Sequence, residues 1–240
     1  MASNINQLIS LNGRNTLITG AFGGIGKEVM NLFLAQDQHV TAITRRPNPE
    51  ISENLSVCHL DLNDEIEVTK FAKDVEPFDN VVLCHGVTGI RPIPMLTPEF
   101  TKETMQTNFL SKSHLISQLL KHKKILSPGR IVNVSSISAH YGTKSVPIYS
   151  SSHSATETFL RSLARSCLKK EITVNSVAVN AIWTPLFEGV SPDNPFFETP
   201  LGPGDPVDVA NAVYFSCQSG SRFITGETFF LTGGQFVFND

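Results

Sequence analysis

Three side chains that hold or pass protons fall within one short stretch: Ser136, Tyr149 thirteen positions on, and His153 four beyond that. A phenol loses its proton near pH 10 and an imidazole near 6.5, so at neutral pH both are mostly uncharged. An imidazole can also relay a proton, because one ring nitrogen donates while the other accepts. Far upstream, Thr19-Gly20-Ala21-Phe22-Gly23-Gly24-Ile25-Gly26 crowds four glycines into eight residues. Glycines let a backbone turn sharply and approach a pyrophosphate, which then rests on the free N–H groups of a helix N-terminus. The chemistry within reach of these residues is proton transfer beside a bound dinucleotide.

Such residues need a frame. Short apolar runs alternate with longer amphipathic stretches, the pattern of βαβ units around a parallel sheet. Strands are expected at Asn15–Thr19, Val40–Thr44, Ser56–Leu60, Asn80–Cys84, Arg130–Ser135, Thr173–Val179 and Thr228–Leu231. Helices are expected at Gly24–Ala35, Asn63–Val75, Pro98–Leu120, Ile148–Leu168 and Pro206–Ser216. The glycine loop then joins the first strand to the first helix, and Ser136 ends the fifth strand, where open α/β sheets bind ligands. The fold class is α/β, a single doubly wound Rossmann-like domain over residues 1–240 with a seven-stranded parallel sheet flanked by helices. Its dinucleotide-binding part is 12–110 and its catalytic and substrate part 111–240. The Pro- and Gly-rich stretch at about 185–206 is too long for a tight connection and reads as a lid.

Composition narrows the partners. The 240 residues are 40% apolar and 17% charged with a net charge of −3, as in a globular chain with a sizeable core. Lys121-His122-Lys123-Lys124 reads as a solvated helix end, so nucleic acid is not an expected partner. Cys58, Cys84, Cys167 and Cys217 lie far apart without a CxxC pair and read as small buried apolar residues in a reducing compartment. The histidines have no metal-ligand spacing, and no metal is expected. Residues 1–12 lack the pattern of a signal peptide and no run is long enough to span a bilayer, so the expected location is cytoplasmic and off the membrane.

The end of the second strand selects the cofactor. A carboxylate there holds the ribose 2′-OH of NAD, whereas an arginine accommodates the 2′-phosphate of NADP. The chain reads Ile43-Thr44-Arg45-Arg46 with no acid before Glu50, which favours NADP(H) over NAD(H), with Arg45 as the gripping residue.

The loop spacing Thr-Gly-x3-Gly-x-Gly, the segment Gly129-Arg130-Ile131-Val132-Asn133-Val134-Ser135-Ser136 and Tyr149 resemble the short-chain dehydrogenase/reductase family. Gly202-Pro203-Gly204-Asp205-Pro206, Ile224-Thr225-Gly226-Glu227 and Leu231-Thr232-Gly233-Gly234 extend the resemblance over nearly the whole chain. It implies that Tyr149 protonates a carbonyl oxygen as hydride arrives, that Ser136 hydrogen-bonds that oxygen, and that Asn108 holds a water. It implies cofactor contacts from Gly20, Phe22, Gly23, Gly24, Ile25, Gly26, Thr44, Arg45, Leu62, Gly86 and Tyr149, with Asp61 on the adenine amino group. Ile182 and Thr184 fall in the segment that packs on the nicotinamide, Thr184 near the carboxamide. It also implies a homodimer or homotetramer.

Three departures stand out. The family places a lysine four residues after its tyrosine, and this chain has His153. Leu83-Cys84-His85-Gly86 replaces the usual Asn-Ala-Gly, and Val179-Asn180 replaces Pro-Gly. Without a lysine charge Tyr149 stays more fully protonated, which favours carbonyl reduction, with activity rising in mild acid as the imidazole gains charge. His153 is read as a working substitute, as the mark of a degenerate site that keeps its cofactor, or as the sign of another chemistry. Trp183, Phe187, Phe196, Phe197, Phe236 and Phe238 suit a small, largely apolar substrate, or else pin the lid or a subunit interface. The function read here is NADP(H)-dependent reduction of such a molecule. The rivals are a nucleotide- or metabolite-binding pseudoenzyme and a non-redox isomerase, cyclase or dehydratase.

Overall fold

Runs such as Leu17-Ile18, Val81-Val82-Leu83 and Ile131-Val132 are apolar on consecutive residues, as strands buried on both faces require. The computed structural model, which describes residues 14–45, 53–184 and 199–235, pairs seven of them into one sheet. The strands are β1 (Asn15–Thr19), β2 (His39–Thr44), β3 (Leu55–His59), β4 (Phe78–Leu83), β5 (Ile125–Ser136), β6 (Ile172–Val179) and β7 (Thr228–Leu231). Their order is β3-β2-β1-β4-β5-β6-β7 and every neighbouring pair is parallel. The order reverses beside β1, so a crevice opens at the carboxyl ends of β1 and β4. The fold class matches the expectation. Arg46, the lid stretch 185–198 with Phe187, Phe196 and Phe197, and the C-terminal Phe236 and Phe238 fall outside the described residues.

Alternating strand side chains feed two cores. Ile18, Val82, Val132 and Val177 pack against helices α1 (Gly24–Leu34) and α7 (Pro206–Cys217) through Val29, Phe33, Val209 and Val213. Leu17, Val81, Leu83 and Ile131 face α2 (Glu65–Asp74), α4 (Ser111–Lys121) and α6 (Pro147–Cys167) through Val68, Leu115, Leu119 and Leu160. Two shorter helices are α3 (Pro98–Met105) and α5 (Ser138–Tyr141). No helix among the described residues is long and apolar enough to cross a membrane.

Several boundaries differ from expectation by a residue or two, and three differences stand out. α2 starts at Glu65 rather than Asn63, because the Asp64 carboxylate accepts the backbone N–H groups of Ile66 and Glu67 and so caps the helix. β5 begins at Ile125 rather than Arg130, with Ile125 opposite Phe78 and a register shift before Asn80. The expected helix Pro98–Leu120 is interrupted by a π-helical turn over Gln106–Leu110 between α3 and α4. Asn108 sits within that turn, fully buried and tied sideways to the neighbouring loop and helix. Such turns widen a helix and reorient its groups.

Candidate active site

The glycine loop folds as it does because two of its residues have no room for a side chain. Gly20 has φ +66°, a conformation L side chains rarely adopt, and a Cβ there would sit 2.8 Å from the His85 backbone. A Cβ on Gly26 would collide with the Gly20 carbonyl. α1 opens at Gly23 with no side-chain cap, so the N–H groups of its first turn, at Gly24, Ile25 and Gly26, meet no side-chain acceptor. Beside this turn lies a cleft of about 650 Å³.

The cleft gathers eight of the residues expected to hold a cofactor. The loop gives Gly20, Phe22 and Gly23, the end of β2 gives Thr44 and Arg45, and the turn after β3 gives Asp61 and Leu62; Gly86 follows β4. Arg45 is exposed at the rim. Asp61 accepts the Asn63 backbone N–H at 3.0 Å. A close-approach glycine loop, uncapped helix N–H groups and a rim arginine fit a phosphate-bearing dinucleotide. Ile182 and Thr184 are not walls of this cleft. They follow β6, where Ile182 pairs with Gly204 and the Trp183 N–H reaches the Gly204 carbonyl at 2.8 Å.

Cys84 and His85 line the cleft as well, and the structure explains the unusual histidine. His85 Nδ1 lies 2.6 Å from Thr19 Oγ1, and its Nε2 lies 2.9 Å from Ser111 Oγ, whose own hydrogen goes to the Thr107 carbonyl. The ring therefore bridges β1 and α4. Burial, then the charges of Lys112 and Arg45, hold it well below the usual imidazole pKa. Of the four cysteines expected to be buried, Cys167 and Cys217 are, while Cys58 and Cys84 are half-buried.

Beyond the cleft, the end of β5 and the start of α6 bring the proton-handling residues together. Ser136 Oγ accepts the N–H of Ser138 at 3.2 Å and its hydroxyl at 2.9 Å. Burial pushes the Tyr149 phenol up, and the neighbouring Ser136 hydroxyl pulls the other way. The Tyr149 and His153 rings lie 4.4 Å apart at 60°. Asn108 stands between these residues and the cleft. Its Oδ1 accepts the Val87 N–H at 2.8 Å, its Nδ2 donates to the Val87 carbonyl and to Ser152 Oγ, and its carbonyl accepts Thr156 Oγ1 at 2.9 Å.

His153 does not behave as expected. It is 5% exposed, and burial first, then the Lys112 charge, lower its pKa to about 3. The ring stays neutral through mild acid, so the expected rise in activity from its protonation has no source. The buried cation nearby is Lys112, whose Nζ donates to Asn133 Oδ1 at 2.8 Å. Burial lowers that amine to about 8. Neither Lys112 nor Glu157 was singled out from the sequence. Glu157 stands four residues after His153 on one helix, hence on the same face, and that spacing was readable. Nothing in Ser111-Lys112-Ser113 distinguishes Lys112 from a solvated lysine.

Comparison with known proteins gives the class. Residues 14–195 match the family model for short chain dehydrogenases. The chain is 31% identical to the uncharacterized oxidoreductase YhxC of Bacillus subtilis (strain 168), over 95% of its own length and 86% of that protein. It is 28% identical to the 3-oxoacyl-acyl-carrier-protein reductase FabG of Rickettsia felis, over 96% of this chain and 100% of that one. The solved structure of ElxO with NADP bound superposes with a TM-score of 0.85 at 28% identity, covering 94% of this chain and 99% of that one. The chain belongs to the short-chain dehydrogenase/reductase family of oxidoreductases.

Proposed function

We propose that this chain is an NADP(H)-dependent reductase acting on a carbonyl or similar group of a small, largely apolar molecule. The observation that carries the reading is Ser136 at the carboxyl end of β5 acting on the Tyr149 phenol at the start of α6, beside a cleft lined by the glycine loop, Arg45 and Asp61. The cofactor, when bound, supplies a hydride. Tyr149 gives its proton to the oxygen that the hydride leaves negative. Ser136 Oγ receives both Ser138 donors, so its own hydrogen is available to steady that oxygen. Asn108 is the water anchor of this reading, held in place by Val87 and Ser152. Arg45 grips the 2′-phosphate, Asp61 receives the adenine amino group, and Ile182 and Thr184 lie against the nicotinamide end. A phenol that burial keeps protonated suits reduction over oxidation. A homodimer or homotetramer in the cytoplasm completes the proposal.

The test is a fluorescence titration of Trp183, the chain's one tryptophan, with NADPH and then NADH. NADPH is expected to bind at least about tenfold more tightly, the usual scale of one charge-assisted contact, and Arg45→Ala is expected to close most of that gap. Equal binding of the two nucleotides in the wild type would remove the Arg45 argument. Binding of neither would bring forward the metabolite-binding and non-redox readings.

A further inference from the structure

The face of β5 that α4 and α6 cover changes character towards its carboxyl end. Ile131 is part of the apolar core, but Asn133 and Ser135, next on the same face, are polar and buried. Lys112 of α4 meets Asn133, while His153 and Glu157 of α6 meet Ser135. Glu157 is 2% exposed and fully engaged. Its Oε1 accepts the Ser135 hydroxyl at 2.5 Å. Its Oε2 faces three donors: His140 Nε2 at 2.8 Å, Thr228 Oγ1 at 3.2 Å and Arg161 Nη1 at 3.5 Å. Ser135 Oγ in turn lies 3.4 Å from His153 Nδ1.

A proton count fixes the direction of this chain. Ser135 has one hydrogen, and a carboxylate can only accept, so that hydrogen goes to Glu157. The remaining polar group on Ser135 is its oxygen lone pair, so the contact with His153 is satisfied when Nδ1 carries the ring hydrogen. We propose that Glu157 and Ser135 are positioning residues that hold His153 as the Nδ1–H tautomer and leave Nε2 as a lone-pair acceptor beside Tyr149. The groups facing the ring are Tyr149 and Glu157 on its own helix, Ser135 on β5 and the Lys112 charge on α4. A lysine at this position can only donate hydrogen bonds, so a ring presenting a lone pair reverses the polarity offered to a hydroxyl, whether of Tyr149 or of a cofactor ribose. That consequence rests on the reductase reading, whereas the tautomer itself does not.

The experiment therefore uses the protein without cofactor. Long-range proton–nitrogen correlation spectra of the ¹⁵N-labelled chain at pH 7.5 report which nitrogen of each histidine is protonated, and the signal lost in His153→Gln identifies His153. The wild type is expected to show Nδ1–H. In Glu157→Gln the amide oxygen turns to its three donors and the NH2 to Ser135, which then passes its own hydrogen to Nδ1. The ring is expected to switch to Nε2–H. Ser135→Ala removes the acceptor and is expected to switch it likewise, so the test survives if one variant does not fold. An Nε2–H ring in the wild type, or Nδ1–H persisting in either folded variant, overturns the proposal. NADPH titration of the same samples scores the reductase reading separately.

Discussion

Tyr149 shows how little of a side chain's chemistry its identity settles. Burial raises the phenol above its ordinary value and the Ser136 hydroxyl offsets part of that rise. At neutral pH the proton stays on the oxygen, where a general acid needs it. Replacing Tyr149 with Phe removes the hydroxyl and keeps the ring that packs on His153. Turnover of apolar aldehydes or ketones is expected to fall by roughly 10²–10⁴, the usual worth of a positioned general acid, with NADPH affinity nearly unchanged. Steady-state kinetics together with the Trp183 titration measure both. Affinity falling in step with turnover would show that the hydroxyl holds cofactor and is not the acid.

At the scale of elements, the site depends on two joints that depart from regular structure. One is the π-helical turn that lets Asn108 reach Val87 and Ser152. The other is the turn from β1 into α1. Gly20 there takes a left-handed φ with the His85 backbone pressed against it. In Gly20→Ala the strained backbone alone costs about 1–3 kcal/mol, and the 2.8 Å contact has only main chain to push aside. Urea unfolding is expected to show a loss of about 2 kcal/mol or more, with weaker NADPH binding. A variant as stable as the wild type would mean that the loop relaxes freely and that its geometry is not what keeps glycine there.

Across the whole molecule, the layer beneath the site holds bases away from water, and this makes the fold acid-sensitive. His153 titrates at about 3 when folded and near 6.5 when unfolded. Between those values the unfolded chain binds the extra proton, so stability falls as pH drops. From pH 7 to 5 this one group contributes a loss of about 2 kcal/mol, at about 1.4 kcal/mol per unit below 6.5. His85, also lowered, adds in the same direction. His153→Gln is expected to lose about that much less than the wild type over the same interval, as read by urea unfolding at the two pH values. Equal losses would place His153 in contact with water.

What the sequence by itself determined is what short-range rules govern. Consecutive apolar runs of strand length gave the sheet, because a parallel sheet is buried on both faces. The glycine spacing between a strand and a helix marked the cleft, and Thr44, Arg45, Asp61 and Gly86 could be placed by their distance from strand ends. Ser136, Tyr149 and His153 follow the same logic, since one strand end and one helix start bring them together. Tertiary structure decided the state of those groups. His153 was readable as a histidine four after a tyrosine. Its neutrality comes from burial and from Lys112, forty-one positions earlier and carried in by another helix. Ser135 and Glu157, twenty-two apart, meet because a strand and a helix pack at that level. Solvent exclusion and charge proximity depend on distances through space, and those exist only once the layers have closed.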